Sequence, residues 1–254
     1  MFLVVPALRQ ATMLASMSVS ATWCGHSTFS IQTPEDRLVL IDPWVAANPA
    51  CPEERKTFER IDLMAITHGH FDHIADAVPL ARAHEPEVVG IFELCKWLER
   101  KGVGRLTTMN KGGSVERCGV RLTMVHADHS GGIQEDDGSI IYGGEAVGYV
   151  LRFSDGTVVY HAGDTNVFGD MALIRELYEP SAVMLPIGGK YTMSPREAAK
   201  AVELLQPKVV IPMHFGTFPG LTGRPVALVE ELARRGLERI EVHELQPGET
   251  TVLG

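Results

Sequence analysis

Cysteine is scarce in this 254-residue chain: Cys24, Cys51, Cys95 and Cys118 are far apart and form no CxxC pair. That spacing excludes a zinc ribbon and a dense disulfide framework, and it fits a reducing, cytoplasmic setting. Long apolar runs are also missing, and nothing approaches the roughly 20 uninterrupted residues of a membrane span. The opening stretch MFLVVPALRQATMLASMSVSA is broken by Arg9 and Gln10 and has no basic segment before it, which makes it a poor secretory signal. Residues 1–17 read as an N-terminal extension, with Met17 an alternative start because the strand-like pattern begins at Ser18. Positive charge is in deficit: 23 Lys and Arg against 32 Asp and Glu give a net charge of -9. This argues against nucleic acid and anionic membranes as partners, although a local cationic centre can still attract an anionic small molecule. No repeat of 20 to 50 residues and no low-complexity linker divides the chain.

What is present is ordinary globular composition, 45% hydrophobic and 22% charged, enough for one large core over residues 18–254. Short β-rich runs come first, at 19–23, 28–33 and 37–42, separated by Gly, Ser and Pro-Glu-Asp turn signals. A short polar helix is predicted over 53–60, then the apolar run LMAIT at 63–67, then helices over 74–83 and 92–101. Further strands are predicted at 115–125, 146–153, 157–163, 181–187 and 208–214, with helices over 170–178, 195–205 and 225–235. Ser194 and Pro195 open the second of these three. The order, strands first and then strands alternating with helices, predicts an α+β fold: one four-layer domain, helix over sheet over sheet over helix.

The chemistry is concentrated in Thr67-His68-Gly69-His70-Phe71-Asp72-His73. Four ligand-type side chains fall within six residues, directly after an apolar run that would end at a sheet rim. Neutral imidazoles and a carboxylate are the usual donors for zinc, and alternate residues could face one ion while the Asp-His pair faces another. The competing reading is a helix start capped by Asp72 with solvated histidines, but core packing has no use for such a cluster. Three other apolar runs end in the same way: RLTMV before His126-Ala127-Asp128-His129, TVVYHAG before Asp164, and KVVIPM before His214.

These residues carry a resemblance. THGHFDH matches the HxHxDH signature of the metallo-β-lactamase superfamily, and the likeness extends from Trp23 through WCGHSTF, LIDPW, HADHSGG, YHAGDT, LPIGG and IPMHFGTFP. It is similar to the branch of metal-dependent hydrolases related to ascorbate-phosphate lactonase and N-acylphosphatidylethanolamine phospholipase D. The resemblance implies the four-layer αββα sandwich of that superfamily. It also implies two divalent metal ions, zinc first, with manganese, iron or nickel as alternatives. His68, His70 and His129 would hold one ion, Asp72, His73 and His214 the other, and Asp164 would bridge them. His129 is preferred to His126 because the following Ser130 matches the family better.

Two ions about 3.5 to 4 Å apart bring a shared water near neutrality in pKa, so a metal-bound hydroxide, with Asp72 orienting it, would replace a Ser or Cys nucleophile. His26, Asp42, His126 and His161 are candidates for orienting the ligands or moving protons, with local packing as the alternative for each. His26 joins Asp72 as a catalytic candidate. Lys190 and Tyr191, in the loop after LPIGG, would border the substrate, Lys190 suiting an anionic group and Tyr191 stacking; relatives often carry Asn where Lys190 stands. The expected function is hydrolysis of a small-molecule ester, lactone or phosphodiester. A phospholipase-like enzyme at membranes, a nuclease or RNA-processing protein, and a non-catalytic metal-binding scaffold are the alternatives. No basic amphipathic helix supports the membrane case, and an acidic chain does not support the nuclease. A homo-oligomer stays open.

Overall fold

The computed structural model describes residues 18–253, so the expected extension at 1–17 lies outside the described residues. Sheet formation starts with β1 (Ser20–Trp23), β2 (Phe29–Gln32) and β3 (Leu38–Ile41), an antiparallel meander in which Trp23 faces Phe29 and Phe29 faces Ile41. The chain then switches to parallel crossovers: β4 (Leu63–Ala65), α1 (Phe71–Ile74), α2 (Ala77–His84), β5 (Glu87–Ile91), α3 (Phe92–Arg100) and β6 (Leu106–Met109). The second half repeats this plan. β7 (Ser114–Arg117), β8 (Val120–His126), β11 (Val147–Arg152) and β12 (Val158–His161) pair antiparallel, with a small hairpin of β9 (Gly132–Gln134) and β10 (Ile140–Tyr142) inserted between β8 and β11. Parallel strands follow: α4 (Met171–Tyr178), β13 (Ala182–Pro186), α5 (Pro195–Leu205), β14 (Val209–Met213), α6 (Pro225–Ala233) and β15 (Glu241–Val242). Finally β16 (Thr250–Val252) returns to pair with β1.

The result is two seven-stranded sheets, ordered β16-β1-β2-β3-β4-β5-β6 and β15-β14-β13-β12-β11-β8-β7. Phe29, Ile31, Ile41, Tyr149 and Leu151 belong to one core that also takes in Trp97 and Leu98 of α3. Val183, Leu185 and Val210, from the second sheet, form another with Ala198 and Val202 of α5 and Leu228 of α6. The α+β architecture with two large sheets is therefore as expected. Among the described residues no helix is long and apolar enough to cross a membrane.

The strand directions decide where function can sit. β1 and β3 are each antiparallel to β2, and β4 is parallel to β3, so β1, β3 and β4 run the same way. β8 and β12 are each antiparallel to β11, and β14 follows β12 through two parallel pairings. With β13, which is parallel to both β12 and β14, all seven strands that precede candidate residues thus deliver their C-terminal ends to one rim. Backbone bonds stitch the two sheets there: Val147 N–H donates to Thr67 O at 3.1 Å and His214 N–H to His26 O at 2.9 Å.

Three local expectations change. The helix predicted over 53–60 shrinks to a 3-10 turn at Glu53–Arg55 with no buried residue, since so short a segment has no core face to hold it. The helix predicted over 74–83 breaks at Asp76, whose Oδ2 accepts from Val45 N–H and Ala46 N–H at 2.6 and 2.9 Å. That carboxylate ties the loop after β3 to the ligand segment. The single run at 115–125 is a tight hairpin, turning at Cys118-Gly119.

Candidate metal centre

The seven expected ligands converge. His68, His70 and His129 bring one nitrogen each within 4.8 Å of one another, as do single donor atoms of Asp72, His73, His214 and His26, and of His68, His73 and Asp164. Asp164, buried after β12, lies at the centre: its Oδ2 is 3.0 Å from His214 Nε2, 3.3 Å from His73 Nε2 and 3.7 Å from His129 Nε2. His68 Nε2 and His70 Nδ1 are 3.0 Å apart.

Hydrogen bonding on the far side of the rings fixes which nitrogen points inward. Asp42, in the left-handed region at φ 49°, caps β3 and accepts from Thr67 N–H through Oδ1 at 2.8 Å. Its Oδ2 accepts from Thr67 Oγ1–H and from His73 Nδ1–H, each at 2.8 Å. Thr67 Oγ1 has then spent its proton, so at 3.0 Å it accepts from His68 Nδ1–H. Both histidines therefore turn Nε2 toward the centre, the arrangement in which an outer carboxylate orients a metal-ligating imidazole. His73 Nε2 is buried and has no hydrogen-bond partner. A lone pair there would face the Asp164 carboxylate at 3.3 Å, so the position calls for a cation, a proton or a metal ion, between them. The donor set of imidazole nitrogens and carboxylates fits a divalent ion of the zinc type.

The protonation pattern agrees. Burial opposes charge on His73, but Asp164 and Asp42 on either side outweigh it and hold this imidazole well above the usual histidine range. A proton there does the work a metal cation would do. Burial pushes His68, His70 and His129 down, as neutral ligands require. Burial would raise Asp72, but the His26 hydrogen bond and the charge of His73 hold it down at about 2. Asp164 is likewise held well below the carboxylate range, against its burial, by His214 and His73.

His26 is fully buried, at φ 56°, in the turn after β1. Its Nε2 lies 3.0 Å from Asp72 Oδ2 and its Nδ1 3.0 Å from Thr217 Oγ1. Burial, then the neighbouring His214, lower its pKa to about 4, so the ring is neutral; Thr217 donates to Nδ1 and Nε2–H donates to Asp72. Of the other candidates, Asp42 touches the ligands directly, as described. His161 does not: its Nε2–H donates to Ser27 O at 3.1 Å and its Nδ1 accepts from Gly163 N–H at 3.2 Å. Both nitrogens are spent on backbone, so His161 braces the turn behind the site. His126 lies apart from the ligands: it is exposed at the end of β8, 3.3 Å from Lys111 Nζ and edge-on to Phe168. His129, beyond the strand end, is the one that reaches Asp164.

Sequence reasoning missed Thr67 and Thr217 as partners, and Ser27, whose Oγ is 3.4 Å from Asp164 Oδ1. All three sit beside residues that were singled out, so position in the motif was the available signal. It also missed the β9–β10 hairpin, which packs on the ligand turn so closely that a Cβ on Gly69 would sit 2.4 Å from Ile133 Cγ1. The ligands open into a cleft of about 730 Å³ that also includes Phe71, Ile140, Lys190, Tyr191 and Phe218.

Comparison with known proteins agrees with this geometry. Residues 37–215 match the model of the Beta-lactamase superfamily domain. A UPF0173 metal-dependent hydrolase of Koribacter versatilis is 55% identical over 229 residues, covering 90% of this chain and 96% of that protein. Another from Solibacter usitatus is 57% identical over 227 residues, covering 89% and 96%. Among solved structures, Igni18, a metallo hydrolase of the archaeon Ignicoccus hospitalis, superposes with a TM-score of 0.79 at 36% identity, covering 92% of this chain and 98% of that one.

Proposed function

The chain belongs to the beta-lactamase superfamily and, within it, to the UPF0173 metal-dependent hydrolases, and on that premise we propose that it is a cytosolic enzyme using two divalent ions, zinc first, to hydrolyse a small ester, lactone or phosphodiester. The observation that carries this reading is the sharing of Asp164 Oδ2 between His129 on one side and His73 and His214 on the other. A carboxylate so placed would offset the repulsion of two cations, one held by His68, His70 and His129 and the other by Asp72, His73 and His214. Bound there, such ions would supply hydroxide at neutral pH and would offset negative charge on the attacked group.

The chain's own side chains do the rest. Asp42 and Thr67 hold the Nδ1 protons of His73 and His68, so Nε2 is the nitrogen that each ring offers to an ion. Thr217 and His26 form a relay to Asp72, in which His26 Nε2 holds a proton against Oδ2 and so fixes which way the carboxylate faces. In this position His26 can also accept or return a proton during turnover. The cleft above the ligands would receive the substrate, with Lys190 and Tyr191 at its border.

The reading is tested by screening zinc-loaded and chelated protein against lactones, phosphodiesters and thioesters. Turnover of at least one class, abolished by chelation and restored by metal, is expected. Turnover that survives complete metal removal would contradict it.

A further inference from the structure

The cleft above the ligands has a chemistry of its own. At about 730 Å³ it is within the range of cavities that take drug-sized molecules, larger than a bare lactone ring needs. Three large apolar side chains stand open to solvent around it, Phe71 at 54%, Ile140 at 76% and Tyr191 at 57% exposure. Phe218 completes the wall and stacks on Trp44 at 5.8 Å between ring centroids, which keeps it from collapsing inward. Apolar surface left exposed around one opening marks a place where an apolar partner is bound.

Lys190 is the sole lysine or arginine on that lining. Lys56, Lys96, Lys101, Lys111 and Lys200 each pair with a glutamate, whereas Lys190 has no carboxylate within ion-pair distance among the described residues. Its position is built. Neighbouring Gly189 bridges to Leu221, and a Cβ on Gly220 would stand 3.2 Å from Lys190 Cδ, so the bare glycine makes room for the lysine stem. The ammonium lies 4.9 Å from the centre of the Tyr191 ring. A cation held at an apolar opening, unpaired, in a chain of net charge -9, complements an anion that comes with the ligand.

We infer that the substrate is an amphiphilic anion, with an apolar body along Phe71, Ile140 and Phe218 and a carboxylate or phosphate, separate from the bond being cut, against Lys190. This rests on the hydrolase reading for the bond that is cut, but its test does not need turnover. Calorimetric titration of the zinc-loaded protein would use three probes: octanesulfonate, butanesulfonate and 1-octanol. Sulfonates are poor zinc ligands, so the metal contributes little to the comparison. Octanesulfonate is expected to bind about tenfold more tightly than either of the others, and Lys190→Gln to remove its advantage over 1-octanol, a change of about 1.4 kcal/mol. Absence of saturable octanesulfonate binding, equal binding of 1-octanol, or a preference that survives Lys190→Gln would each overturn the inference. Failure of the hydrolase reading shows up separately, as metal-independent turnover.

Discussion

Replacing Asp42 by Asn tests the wiring of the centre with almost no change of shape. In the native protein Asp42 Oδ2 accepts from His73 Nδ1–H at 2.8 Å, which leaves His73 Nε2 as the nitrogen whose lone pair an ion would take. An asparagine can keep its oxygen on Thr67 N–H, but it then offers an N–H to His73. The imidazole must answer with Nδ1 as acceptor, so its proton moves to Nε2 and blocks the ligand position. Loss of an outer partner of a ligating histidine typically costs 10- to 100-fold in metal affinity. Because the ligand lone pair itself is removed here, the upper end is expected for one ion, about 100-fold or about 2.7 kcal/mol. His68 feels the change only through Thr67, so the other ion should weaken less. Stability of the metal-free protein should fall by about 1.5 to 3 kcal/mol for the lost charge-assisted bond. Competition of zinc-loaded protein with a chromophoric chelator reads both affinities, and a thermal melt reads the fold. A folded Asp42→Asn variant that holds both ions as tightly as the native protein would refute the tautomer argument.

Other consequences follow from the same geometry. His26 has its pKa lowered to about 4, so between that value and 6.5 the unfolded chain binds a proton that the folded chain refuses. The metal-free protein should therefore lose stability as pH falls through this window, by roughly 3 kcal/mol from this side chain, and His26→Gln should flatten the slope in chemical denaturation. His73, raised by its carboxylates, acts in the opposite sense at higher pH. Gly69→Ala places a methyl 2.4 Å from Ile133 Cγ1, so a loss of about 1 to 3 kcal/mol in denaturant titration, with weaker metal binding, is expected. Thr217→Val removes the donor that fixes His26 as the Nε2–H tautomer; nitrogen NMR of the ring should show a mixed population, and Thr217→Ser should restore one form.

How much of this was legible in sequence can be seen at particular residues. Trp23, Leu63 to Ala65 and Val209 to Met213 read correctly as strands, because short apolar runs bounded by turn residues have few other uses. The ligand clusters at their ends were equally visible. β5 was missed, since Val88 and Val89 between Pro86 and Gly90 give too short a pattern, and its strand character comes from pairing with β4 and β6. Asp76 was invisible as a helix breaker because its partners, Val45 and Ala46, are 31 and 30 residues away. His126 and His129 could not be separated by spacing alone; what separates them is where each ring lies, His126 against Lys111 and Phe168 and His129, in the loop beyond β8, 3.7 Å from Asp164. His161 and His26 look alike in sequence, each at a strand end, yet one spends both nitrogens on backbone and the other turns to Asp72.

The central claim is that Asp164 joins two donor sets into one centre, and equilibrium metal content measures it most directly. After dialysis against zinc and removal of free ion, elemental analysis should find two zinc ions per chain, and fewer than one per chain in Asp164→Ala. A native protein that retains one ion or none, or an Asp164→Ala variant that retains two, would contradict the account.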